Sequence, residues 1–196
     1  VEAGPVPAFT SSASGLIVDF TNTSTNATSF SWDFGDGNGS TDIDPSHTYT
    51  SDGTYLVELT ATNDCGSITT TETLVIVTAP EAGFSASSTN GCAPFEVTFT
   101  DESSDNTTAW SWTFDGGNPA SSTDQNPTVT YNSAGTYTVT LVVTNSAGMS
   151  TVTETNYIVV NTTPEIGFTS NTNGLMVDFT NTSTNATTYS WDFGDG

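Results

Sequence analysis

A phrase that recurs at fixed spacing limits the fold more than any other feature of this chain. SWDFGDG occupies residues 31–37 and returns unchanged at 190–196, with the variant SWTFDGG at 111–117. Trp32, Trp112 and Trp191 therefore stand 80 and 79 residues apart. A second phrase keeps step, as HTYTSDGTYLVELTATN at 47–63 and VTYNSAGTYTVTLVVTN at 129–145. Self-similarity at one period marks a repeat architecture, and about 80 residues suffice for a small domain with its own core. The spacing predicts a domain over 1–79 (A), a second over 80–163 (B) and the first strands of another over 164–196.

The repeats are not equivalent. Residues 14–37 and 173–196 agree at 20 of 24 positions, whereas the middle repeat is more distant. The larger period is thus an A–B pair, with 164–196 opening a new A. That last segment lacks the strands after its WDFGDG, so the parent chain is expected to continue. Val1 matches Val160, the end of B's last strand, so the start is expected to be internal too.

Nothing in the pattern reads as helix. Short period-2 runs (Leu16, Val18, Phe20; Phe30, Trp32, Phe34; Tyr55, Val57, Leu59; Val139, Leu141, Val143) alternate with Gly, Asn, Asp and Ser clusters. This is the signature of an all-β antiparallel sandwich. The linkers TAPEAG (78–83) and TTPEIG (162–167) are short and carry proline, which predicts a semi-rigid, rod-like array.

The chain has 22 acidic residues and neither Lys nor Arg, a formal charge of −22. Such a surface excludes nucleic acid and anionic lipid, both of which are recognised through Lys and Arg. No apolar stretch is long enough to span a membrane. Divalent cations, neutral glycans and like repeats remain as partners.

On a strand, Phe30, Trp32 and Phe34 share the core face while Ser31 and Asp33 face out. Gly35-Asp36-Gly37 then makes a tight turn. Trp32, Phe34, Trp112, Phe114, Trp191 and Phe193 thereby read as structural signature residues. Tyr55 and Tyr137 read as corner residues, with Tyr49 and Tyr131 one strand earlier. The sharper reading of the turn is calcium on Asp33 and Asp36, with Asp42 or Asp44 adding oxygens. B disrupts that set, with Thr113 for Asp33 and the carboxylate moved to Asp115. His47, the only histidine, is replaced by Val129 in B, and no catalytic triad or metal cluster surrounds it. The residues point to no enzyme.

SWDFGDG, DPSHTY (44–49) and GTYLVELTATN (53–63) together resemble the PKD (polycystic kidney disease) domain across both full repeats and the third segment. The resemblance implies tandem immunoglobulin-like sandwiches, extracellular accessory or adhesive modules, and no catalysis. It also implies that calcium is a ligand of some members. The alternation of a CGS-bearing with a GCAP-bearing repeat resembles long surface proteins of Bacteroidetes type.

Cys65 falls between A's last two strands, at the end where the chain enters, and Cys92 between B's first two, at the end where it leaves. Placed so, they are expected to bond to other repeats or chains: Cys92 to the next A's copy of Cys65, or to a neighbouring chain. Two free thiols are the alternative. N-x-S/T sequons make Asn22, Asn26, Asn38, Asn106, Asn161, Asn181 and Asn185 glycosylation candidates. The expected function is a structural repeat of an extracellular or cell-surface filament, adhesin or stalk. The alternative is a carbohydrate-binding or adhesive accessory module of a secreted hydrolase, and a weaker one is ice binding through the threonines of 66–73.

Overall fold

The computed structural model describes residues 3–194, and every helix or strand assigned among them is a strand. The chain folds into two compact units. The first holds residues up to 81 with 104–108 and 143–150; the second holds 82–103, 109–142 and residues from 151 onward. Two short loops of the second repeat therefore belong to the first unit.

The first repeat supplies seven strands: β1 (Phe9–Ser14), β2 (Ile17–Asn22), β3 (Ser29–Asp33), β4 (Gly39–Ser40), β5 (Ser46–Thr48), β6 (Gly53–Asn63) and β7 (Gly66–Ile76). They form a three-stranded sheet ordered β1-β2-β5 and a four-stranded sheet ordered β4-β3-β6-β7. Alternation decides which side chains lie between the sheets. Val18 and Phe20 of β2, and Val57, Leu59 and Ala61 of β6, are buried; Ile17 and Asp19 between or beside them are exposed. Val18, Phe20, Trp32, Phe34, Tyr49, Val57, Leu59 and Ile76 make one core, with Phe9, Phe30 and Tyr55 packed against it. Its aromatics meet both edge-on and stacked: Trp32 lies edge-on to Phe9 at 5.1 Å and tilted to Phe20 at 5.4 Å, while Phe34 stacks on Phe20 at 5.3 Å and on Trp32 at 6.5 Å.

The second repeat adds β8 (Phe84–Ala86), β9 (Asn90–Cys92), β10 (Phe95–Asp101), β11 (Ala109–Phe114), β12 (Gly117–Asn118), β13 (Ser121–Ser122), β14 (Thr128–Tyr131), β15 (Gly135–Asn145) and β16 (Gly148–Asn161). Its sheets run β12-β14-β10-β8 and β13-β11-β15-β16-β9. Val97, Phe99, Trp112, Phe114, Val129, Tyr131, Val139, Leu141 and Val143 fill the space between them. Here the first strand changes sheets. β8 pairs with β10, then β9 runs parallel to β16, with Asn90 opposite Val159 and Cys92 opposite Asn161. In the first repeat β1 instead runs straight into a hairpin with β2.

Residues 164–194 contain a third hairpin, β17 (Phe168–Asn173) with β18 (Met176–Asn181), in the register of β1 with β2.

Candidate functional site: the acidic turn of the first repeat

The turn after β3 is shaped by its own carboxylates. Asp33 Oδ1 accepts the Gly35 N–H at 2.8 Å, and Asp36 Oδ1 accepts the Asn38 N–H at 3.0 Å. Gly35 is required here, because φ is +79° and a Cβ would lie 2.5 Å from the Leu56 carbonyl oxygen. Asp36 Oδ2 accepts from Asn38 Nδ2 at 3.1 Å and from His47 Nε2 at 2.8 Å. The Asp36 and His47 side chains are only 14% and 13% exposed. Burial opposes the Asp36 charge, but the hydrogen bonds from His47 and Asn38 outweigh it and hold the carboxyl below its usual range.

His47 closes the turn over the core. Its ring stacks on Phe34 at 4.2 Å and 7°, and meets Tyr49 edge-on at 4.7 Å. Tyr49 is fully buried and donates its hydroxyl to the Phe34 carbonyl at 3.0 Å. Burial foremost, then the Asp36 and Tyr55 charges, push its phenol up to about 12. The Asp36–His47 pair escaped the sequence reading because its members lie 11 residues apart on separate elements. One signal was available: B lacks both together, with Gly116 at the Asp36 position and Val129 at that of His47.

The candidate calcium carboxylates have these partners. Asp44 Oδ1 caps Asn22 N–H at 2.8 Å, and the Asp42 carbonyl accepts the Trp32 indole N–H at 3.0 Å. Asp33 and Asp36 share the turn, yet each serves backbone donors. Among the described residues no three His, Cys, Asp or Glu groups converge where a cation could sit. The donor set does not match the six to eight oxygens calcium takes.

Trp32, Phe34, Trp112 and Phe114 are buried in their sandwiches, with the Trp112 indole donating to the Asp124 carbonyl at 2.9 Å. Tyr55 and Tyr137 donate their hydroxyls to the carbonyls of Ser51 and Ser133, at 2.9 and 2.8 Å, tying each corner to the preceding turn. Tyr131 differs from Tyr49: its hydroxyl is buried without a hydrogen-bond partner. Trp191 and Phe193 stay 40% and 60% exposed, unlike their first-repeat equivalents. Cys65 and Cys92 are exposed and no disulfide joins them; Cys92 lies beside Asn161, at the end where the second repeat's chain leaves.

The sequons separate by environment. The Asn22 side-chain nitrogen is buried without a partner. That of Asn106 donates to Asp52 Oδ2 at 2.8 Å and to the Thr78 carbonyl at 2.9 Å, and that of Asn161 donates to Asn90 Oδ1 at 3.0 Å. Asn38 is exposed but serves Asp36. Asn26, Asn181 and Asn185 are exposed, the first and last at φ of 57° and 58°.

These arrangements coincide with a known domain. The PKD domain family matches residues 2–78 and again 77–160. The chain belongs to the PKD domain family. Over 82 residues it is 40% identical to the pre-pro-metalloprotease PrtV of Vibrio cholerae, covering 40% of this chain and 9% of that protein. Over 49 residues it is 45% identical to the collagenase ColQ1 of Bacillus cereus, covering 25% of this chain and 5% of that protein. The PKD chain thus spans under a tenth of either relative. The titin I-band fragment I67–I69 shares the fold, with a TM-score of 0.50 at 12% identity over 84% of this chain and 68% of the fragment. No helix among the described residues is long and apolar enough to cross a membrane.

Proposed function

We propose that this PKD chain is a non-catalytic spacer of an extracellular or cell-surface protein, adding length through tandem sandwiches whose connection is held. The observation that carries the reading is the set of hydrogen bonds on Thr78 inside the first unit. Its N–H donates to Asp52 Oδ1 at 3.0 Å. Its carbonyl accepts from Asn106 Nδ2 at 2.9 Å and Asn145 Nδ2 at 2.8 Å. Asn106 also donates to Asp52, and that bond foremost holds the Asp52 carboxyl below its usual range, against the opposing effect of desolvation. Three residues on, the Glu81 N–H donates to Ser104 Oγ at 2.8 Å, and its carbonyl accepts the Ser104 N–H at 3.0 Å. A linker with both faces of its peptides engaged has lost the freedom of a Gly/Ser tether. Backbone relaxation of residues 78–83 tests this: the reading requires order comparable to the strands, and a mobile linker overturns it.

The absence of Lys and Arg suits an exposed spacer, because it leaves no site for trypsin-type cleavage. Like repeats of the same or neighbouring chains are its proposed partners. A second reading is a glycan-binding or adhesive accessory module of a secreted hydrolase; the likeness to the metalloprotease PrtV and the collagenase ColQ1 favours its accessory-module part. It needs an exposed aromatic platform. Within the two sandwiches the large aromatics face the core, and the half-buried Trp110 has its indole N–H tied to Asp101 Oδ2 at 2.6 Å. Binding of the A–B pair to a polysaccharide array would favour this second reading over the spacer.

A further inference from the structure

The two repeats differ in how the entering strand meets the leaving one. In the second repeat β9 lies beside β16, the last strand, and runs parallel to it, with Asn90, Gly91 and Cys92 opposite Val159, Val160 and Asn161. The Val159 N–H donates to the Thr89 carbonyl at 2.8 Å, and the Ala93 N–H donates to the Asn161 carbonyl at 3.1 Å, bracketing the patch. Asn161 adds its side chain, whose Nδ2 donates to Asn90 Oδ1 at 3.0 Å and to the Gly91 carbonyl at 3.3 Å. Gly91 permits the approach, because a Cβ there would collide with the Phe95 ring. Among the described residues the first repeat has no such patch. There β1 turns directly into β2, in the sheet β1-β2-β5, whereas β7 is the edge of the other sheet, beside β6.

Tension between the chain ends acts on these two patterns differently. It draws a first strand back toward its start and a last strand on toward its end. For parallel strands those pulls are opposed along one axis, so the bonds between them lie across the pull and bear it together. Hydrogen bonds are directional and must break before such strands slip. In the second repeat β8, with three pairs to β10, holds the entering chain to the opposite sheet; beyond it the load reaches β9 and passes straight to β16. In the first repeat the load on β1 reaches β7 only across the core, through side chains such as Phe20, Trp32 and Leu59. Apolar packing is non-directional and offers no such catch.

Resting on the spacer reading, we propose that the second repeat is a force-bearing clamp and the first a length reserve. Under tension the first repeat opens while the second holds. At about 3.3–3.6 Å per extended residue, the opened repeat lengthens the chain by on the order of 200 Å. The test holds single molecules of the full chain at constant force through their two ends. Two long unfolding steps of unequal lifetime are expected. Val57→Ala, in the buried first core, should shorten the earlier step alone. Val159→Pro and Asn161→Ala each remove bonds of the patch and should shorten the later step about fivefold for each bond lost. Both should act more strongly under force than on the second repeat's unfolding rate in denaturant, where no direction is imposed. Asn161 is exposed, so Asn161→Ala carries the test if Val159→Pro does not fold. Equal lifetimes, a later step that Val57→Ala shortens, or patch variants no more damaging under force than in denaturant overturn the clamp. None of these outcomes bears on the order of residues 78–83, so the clamp can fail while the spacer reading stands.

Discussion

Replacing His47 by alanine isolates what the acidic turn contributes. The substitution removes one hydrogen bond to a carboxylate, 2.8 Å long with both side chains about one-seventh exposed. That places its net worth near 1 kcal/mol, between an exposed pair and a buried charge-assisted bond. It also uncovers the face of Phe34 that the imidazole covers at 4.2 Å, worth about 1 kcal/mol more. A total of roughly 2 kcal/mol should lower the midpoint of the first sandwich by about 8–16 °C. It should also accelerate global amide exchange about 30-fold. Hydrogen exchange at the Val57 and Leu59 amides reads the first sandwich, and Val139 and Leu141 serve as internal reference, because the second has Val129 in place of His47. Asp36 is held below its usual pKa, so its share of stability is present above the unfolded value near ~3.9 and is lost as pH falls through the folded one. The gap between wild type and His47→Ala should therefore be full at pH 7 and shrink by about half in acid, leaving the part due to packing on Phe34. Equal acceleration in both sandwiches, or a gap that widens in acid, refutes the reasoning.

The two buried tyrosines should respond oppositely to loss of the hydroxyl. Tyr49→Phe breaks a bond to the Phe34 carbonyl and should cost about 1 kcal/mol by denaturant titration. Tyr131→Phe removes a buried hydroxyl without a partner and should be neutral or stabilising; a loss equal to that of Tyr49→Phe contradicts this. In a glycosylating host, intact-peptide mass spectrometry should find glycan on Asn26 or Asn185 and not on Asn106, whose amide nitrogen is already engaged. Millimolar calcium should leave the first sandwich's unfolding midpoint unchanged, since Asp33 and Asp36 already cap the turn; a rise that Asp36→Ala abolishes would place the ion there.

How far the sequence disclosed this depended on how local the determinant was. The alternation around Trp32, Val57 and Leu59 announces a two-faced strand by itself, and the Gly35-Asp36-Gly37 turn announces its own hydrogen bonds. The sheet switch of β8 to β9 was hidden, because both pieces are only three residues long and neither shows a period. The Asp36–His47 pair and the Thr78 bonds were hidden for another reason. Each joins polar side chains on distant segments, and apolar periodicity carries no record of such partners. Asn145 ends strand β15, and its amide holds the linker carbonyl at 2.8 Å, as Asn63 holds that of Ala3 at 2.8 Å.

The central claim is a held connection, and amide order parameters across residues 78–83 test it most directly. The account predicts values near ~0.85, as in the strands, falling selectively at Thr78 and Ala79 when Asp52 is replaced by alanine. Values below ~0.6 in the unaltered chain, indifferent to Asp52, would contradict it.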